Sequence, residues 1–73
     1  MKTLAQLKPG QSAQIAQVHG TGALQLRLME LGFTRGAMLQ LRKIAPLGDP
    51  LEIHLRGYSL SLRKADAALI EIF

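Results

Sequence analysis

At 73 residues the chain has room for one domain and one small core. It holds no cysteine, which excludes disulfides and thiolate zinc sites, so stability must come from aliphatic packing, for which the 48% hydrophobic content is sufficient. Net charge is +4, with four basic and one acidic side chain in residues 1–36 and five and four in residues 37–73; so mild a surplus suits RNA, an anionic membrane face or an acidic protein, and equally an ordinary solvated surface.

The N-terminus has no apolar run of signal-peptide length, and nothing approaches the roughly 20 apolar residues of a membrane helix. A soluble, cytoplasmic protein is the expectation. Thr3 to Leu7, apolar at Leu4 and Leu7, predicts one helical turn that Pro9-Gly10 stops. Ser12 to His19 alternates, with Ala13, Ile15 and Gln17 on one face and Gln14, Ala16 and Val18 on the other, which predicts a strand.

Gly20-Thr21-Gly22 introduces a helix, with Thr21 as its N-cap. Leu24, Leu28 and Leu31 fall at i, i+4 and i+7 and form one apolar stripe, while Gln25, Arg27 and Glu30 lie off it. Gly32 stands where a left-handed residue ends a helix, and Phe33 follows where a side chain can fold back onto Leu28. Met38 to Ala45 predicts a strand in which Leu39 and Leu41 are in phase and Ile44 is not, a sign of a bulge or a sharp bend.

Pro46-Leu47-Gly48-Asp49-Pro50 must turn, because two prolines and a glycine do not fit a sheet interior. Leu51, Ile53 and Leu55 alternate with Glu52, His54 and Arg56 as a half-buried strand. Arg56-Gly57 is a two-residue hairpin loop, and Tyr58, Leu60 and Leu62 carry the next strand. Arg63 to Ala67 predicts a helical turn and Leu69 to Phe73 a closing strand. The chain is thus mainly β with one short helix. Five short strands suit a small, strongly bent SH3-like barrel spanning residues 1–73 as a single domain, because closing the sheet hides its edges; an open α+β sheet is the alternative.

Chemistry is sparse. His19 and His54 are the only imidazoles, and zinc or iron needs three or four ligands at close spacing. His54 and Glu52 share the outward face of one strand, where they could catch a metal ion at the surface, although a plain surface histidine accounts for that spacing as well. Asp49, Glu52, Asp66 and Glu71 are scattered, and Ser59 and Ser61 have no histidine or aspartate patterned near them, so no acid–base pair or nucleophile is assembled. Gly20-Thr21-Gly22 lacks the glycine spacing and lysine of a phosphate loop. Phe33, Tyr58 and Phe73 are the only aromatic residues, and core positions for Phe33 and Tyr58 leave too few to line a polyproline groove or to stack bases. The expectation is no catalysis, no cofactor and no metal ligand.

Leu28-Met29-Glu30-Leu31-Gly32-Phe33, Arg35-Gly36, Ala45-Pro46-Leu47-Gly48-Asp49-Pro50-Leu51, Leu60-Ser61-Leu62-Arg63-Lys64 and Ala67-Ala68-Leu69-Ile70-Glu71-Ile72 together resemble, in order and spacing, the FeoA family of ferrous-iron transport proteins. The resemblance covers essentially the whole chain. It implies a non-enzymatic accessory or regulatory protein in the cytoplasm, held at the inner face of the membrane through a partner. That partner would be the ferrous-iron permease with its own GTPase domain, FeoB, with further Feo components. Family-level transition-metal binding also enters through the resemblance. The same SH3-like module is similar to the C-terminal domain of metal-dependent repressors, whose DNA-binding domain is missing here; a chain starting at Met1 favours the transport accessory. A basic barrel that binds nucleic acid is the other alternative.

One departure from the family pattern is Arg35, where proline is common; it loosens the turn before Gly36 and adds a cation near the helix end. Since Leu24, Leu28 and Leu31 face the core, Leu26 and Met29 lie opposite, flanked by Arg27, and suit a protein-docking patch. Alternatively they pack beneath the N-terminal segment around Leu4 and Leu7. Leu47 and Arg35 complete the expected interface. Gly32, Phe33, Gly36, Pro46, Gly48, Asp49 and Pro50 are expected to shape turns.

Overall fold

In the computed structural model, which describes residues 2–73, five antiparallel strands form one bent sheet in the order β4-β3-β2-β1-β5. They are β1 (Ser12–Val18), β2 (Met38–Ile44), β3 (Leu51–Leu55), β4 (Tyr58–Leu62) and β5 (Ile70–Ile72). A 3-10 turn at Leu4–Gln6 precedes them, α1 (Gly22–Glu30) joins β1 to β2, and a four-residue helix, α2 (Lys64–Ala67), joins the two edge strands. Met1, included in the expected domain, lies outside the described residues.

Two bulges bend the sheet. In β1, Ser12 to Gln14 pair with β2, while Ile15 to Val18 pair with β5; the register shifts between Ile15 and Gln17, which leaves Ala16 as the extra residue. The strict alternation expected along β1 is therefore broken: Ile15 and Ala16 are both buried, and Val18 returns to the core. In β2 the shift falls between Leu41 and Lys43, so Arg42 is extra. That explains the phase of Ile44, which pairs with buried Leu51 while Lys43 opposite Glu52 faces outward.

Helix α1 begins and ends on different physics. The Thr21 hydroxyl makes no cap hydrogen bond, contrary to expectation; instead the Gln25 amide donates to the Val18 carbonyl at 3.0 Å and ties the first turn to β1. At the far end the Gly32 N–H donates to Met29 and the Phe33 N–H to Leu28, at 3.0 and 3.1 Å, which is a Schellman motif. Gly32 has φ +108°, and a Cβ there would lie 3.1 Å from Arg56 Cδ, so both conformation and space call for glycine. The chain reversal drives Phe33, which is fully buried, into a core shared with Leu28, Ile15, Leu39, Leu41, Ile53, Leu55 and Ile70. Its side chain thus goes further than the expected contact on Leu28.

Tyr58 departs from its expected core position: it is 42% exposed. It sits at the hairpin end, beyond the last buried layer, where its hydroxyl donates to the Leu31 carbonyl, one of the acceptors a helix C-terminus leaves free. The hairpin loop itself is left-handed at both residues, Arg56 at φ 50° and Gly57 at φ 85°. Leu28 is 2% exposed, so Leu28→Ala should lower unfolding free energy by about 2–5 kcal/mol in urea titration.

Candidate functional site

The outer face of α1 presents Leu26 and Met29, one turn apart and 59% and 46% exposed. Leu4 and Leu7 are buried elsewhere, because the 3-10 turn packs against α2 and β5, so the N-terminal segment does not cover these two side chains. Arg27 is exposed on the neighbouring flank of the helix. There it borders a cleft of about 520 Å³ together with Leu24 and Leu28 of α1, Leu31 just past its end, Pro50, and Ser61 to Arg63 at the end of β4.

The turn after β2 is held from both ends. Gly48 N–H donates to Ala45 at 2.7 Å, and Ala45 N–H to Pro50 at 3.1 Å, with Gly48 at φ 85° and the Asp49–Pro50 peptide cis. Asp49 does more than shape the turn, since its carboxylate accepts from the Lys64 N–H at 2.9 Å and caps α2 from 15 residues away. Pro46 and Pro50 are exposed at the two ends of this turn, and Leu47 stands at its tip, 96% exposed. Pro50 and Arg27 both line the cleft, while Leu47, from the same loop as Pro50, is not part of its lining.

Arg35 takes up a different position from the one beside the helix end that the sequence suggested. Its guanidinium donates to the carbonyl of the bulged residue Ala16 at 3.2 Å and lies over the Phe73 ring, 5.3 Å from its centroid. Gly36, at φ 88°, follows and donates its N–H to Ile15 at 2.8 Å. Of the five expected interface residues, Leu26 and Met29 thus share one exposed face, Arg27 lines the cleft, Leu47 stands exposed at the turn tip outside the cleft lining, and Arg35 is engaged with β1 and the C-terminal residue.

Two contacts escaped the sequence reading. Arg56 is not merely a loop residue: its Nε donates to the Gly32 carbonyl at 3.2 Å and its terminal nitrogen to the Thr34 hydroxyl at 2.7 Å, pinning the hairpin to the segment after α1. Its unusual left-handed backbone was hidden behind the neighbouring glycine. His19 Nε2 lies 2.8 Å from Glu71 Oε1, both side chains about one-third exposed. They are 52 residues apart, and only the pairing of β1 with β5 brings them together. Glu52 contacts Lys43 at 3.5 Å rather than His54. No group of three or more His, Cys, Asp or Glu side chains that could hold a metal ion is found among the described residues.

A bent five-stranded sheet with one short helix and an exposed apolar helix face is the frame of a small SH3-like domain, the term used for the zinc-complexed FeoA of Stenotrophomonas maltophilia. That structure is 28% identical, with TM-score 0.88, and the match covers 100% of this chain and 91% of that one. FeoA from Chlorobium tepidum is 39% identical with TM-score 0.90, over 97% of this chain and 68% of that one. A manganese-dependent transcriptional repressor, 12% identical with TM-score 0.88 over 35% of its length, shares the fold alone. The FeoA domain family matches residues 2–72, and the chain belongs to it. A curated relative from Porphyromonas gingivalis, an Fe(2+) transport protein A/Fe(2+) transporter FeoB fusion protein, is 39% identical over 69 residues, 94% of this chain and 8% of that one. The chain therefore spans a small part of that relative.

Asp49→Ala frees the first amide of α2 and one anchor of the turn; a loss of about 1 kcal/mol by thermal or urea unfolding is expected, with the far-UV spectrum retained.

Proposed function

We propose that the chain is a non-enzymatic accessory of ferrous-iron uptake that works by contact with the permease carrying the GTPase domain. The observation that carries this reading is the fusion relative, in which a domain similar to this chain is part of the same polypeptide as the transporter. The physical character of the surface supports it. Leu26 and Met29 are exposed on a short helix with Arg27 beside them, and Leu47 projects from the turn after β2; apolar anchors with a basic rim are what a protein interface uses. A net charge of +4 favours an acidic surface on the partner. No helix among the described residues is long and apolar enough to cross a membrane, and in this reading the partner supplies the membrane attachment.

Zinc, present in the Stenotrophomonas relative, meets no set of three or more His, Cys, Asp or Glu ligands among the described residues: His19 and Glu71 form a pair, and zinc usually takes three or four protein ligands. The proposal therefore routes nothing through a metal held by this chain, and ferrous iron is the cargo of the transporter.

In an amide chemical-shift titration with the soluble GTPase region of the host permease, shifts clustered on residues 24–36 and 47 are expected. Leu26→Glu should abolish the binding while changing stability by no more than about 0.5 kcal/mol, as surface substitutions do. A cooperative loss of folding in that variant would place Leu26 in the core instead. A short RNA at two salt concentrations is the control; salt-sensitive shifts around Arg42, Lys43, Arg63 and Lys64, with silence toward the GTPase, would favour nucleic-acid binding.

A further inference from the structure

The two edges of the sheet are finished differently. At β5 the chain covers its own edge: Thr3 forms a bridge with Glu71, and the Ile72 N–H donates to the Lys2 carbonyl at 2.9 Å. Strand β4 has no such cover among the described residues. Its hairpin closes over two residues, so Leu55 and Tyr58 exchange both ladder bonds, and the pairing then alternates through Ile53–Leu60 and Leu51–Leu62. The backbone N–H and C=O groups of Ser59 and Ser61 therefore point away from β3. Neither residue enters a hydrogen bond outside the ladder among the described residues. The strand Tyr58-Ser59-Leu60-Ser61-Leu62 also carries no lysine, glutamate or proline, the residues that commonly protect an exposed edge.

The cleft beside α1 meets the far end of this same edge. Ser61 and Leu62 both line it, and consecutive strand residues point to opposite faces, so the cleft follows the strand's side rather than lying over one face. Leu24, Leu28 and Leu31 supply an apolar wall, and Tyr58 bridges to the Leu31 carbonyl at one end. Arg27 and Arg63 stand on the rim, neither in an ion pair among the described residues, against a single lining carboxylate, Asp66.

We propose that the β4 edge and the α1 wall form a slot that takes an extended acidic peptide segment by strand addition. The segment's main chain pairs with Ser59 and Ser61, an apolar side chain rests against Leu24 and Leu31, and a carboxylate meets Arg27 and Arg63. A second copy of this chain fits worse, because it would bring its own α1 into the same space and set two molecules of charge +4 edge to edge. The inference rests on the accessory reading and deepens it: the segment belongs to the partner, and the slot names the chemistry by which it is recognised.

The test uses the full chain, labelled for NMR, and a blocked hexapeptide alternating glutamate and valine. Its lysine-for-glutamate counterpart and its backbone N-methylated form are the comparisons. Downfield shifts and slowed hydrogen exchange at the Ser59 and Ser61 amides are expected. The lysine peptide should bind about tenfold more weakly or worse, and the N-methylated peptide should not bind. Binding that leaves Ser59 and Ser61 unmoved, or that survives N-methylation, overturns the slot. Ser61→Pro removes the outward N–H and leaves the ladder intact, so it should abolish peptide binding at an unchanged melting temperature. Arg63→Glu, outside the ladder, should reverse the preference between the two peptides, and an unchanged preference overturns the charge assignment. With the permease GTPase region as probe, loss of binding by Ser61→Pro supports the slot. Retention by Ser61→Pro alongside loss by Leu26→Glu overturns the slot and leaves the accessory reading standing. A GTPase region that ignores even the unsubstituted chain overturns the accessory reading, while the peptide arm still decides the slot.

Discussion

The reversal of the chain at Gly32 is the constraint on which the rest of the domain depends. A core with few large side chains needs a wide residue at its centre, and Phe33, fully buried, supplies it. It reaches that position because Gly32 adopts φ +108° and lets the amides of residues 32 and 33 close back onto α1. The same turn sets the height at which α1 lies over the end of the barrel, and with it the direction of Leu26 and Met29. Arg56 closes the arrangement from the opposite side by donating to the Gly32 carbonyl, so the helix end and the β3–β4 hairpin are fixed to one another.

Around that centre, loops are secured by single polar contacts over long sequence separations. Asp49 caps α2, Arg35 satisfies the carbonyl freed by the β1 bulge, and Gln25 anchors the start of α1 to Val18. Each is a modest interaction on a partly solvated surface, where a net hydrogen bond contributes about 1 kcal/mol. Their value is directional. They fix where the exposed apolar residues stand without adding to a core that 73 residues can only make small.

The outcome is a molecule whose specificity lies in surface shape. Exposed leucine and methionine stand on the outer face of α1, and on its neighbouring flank Pro50 and the end of β4 line a cleft with arginines at its rim. The chain belongs to the FeoA domain family, and the fusion relative joins such a domain to the transporter in one polypeptide. The accessory role proposed above would draw on this combination of a stiff frame and an exposed apolar surface.

The succession of strands and helices along the chain, the apolar stripe of Leu24, Leu28 and Leu31, the glycine stop at Gly32 and the Pro46–Pro50 turn were legible in the sequence alone, because local periodicity and turn chemistry act over a few residues. So was the bulge near Ile44. The β1 bulge was not, since alanine at position 16 gives no phase signal until β5 is seen to pair with it. Arg35 and Tyr58 were misplaced for a related reason: their partners, the Ala16 and Leu31 carbonyls, are 19 and 27 residues away. The His19–Glu71 pair, the capping of α2 by Asp49 and the contrast between a covered and an open sheet edge are likewise non-local. Sequence by itself determined which segments are strands, helix and turns; tertiary structure alone decided which polar groups meet and which edge stays open, because those depend on distances through space that no local pattern encodes.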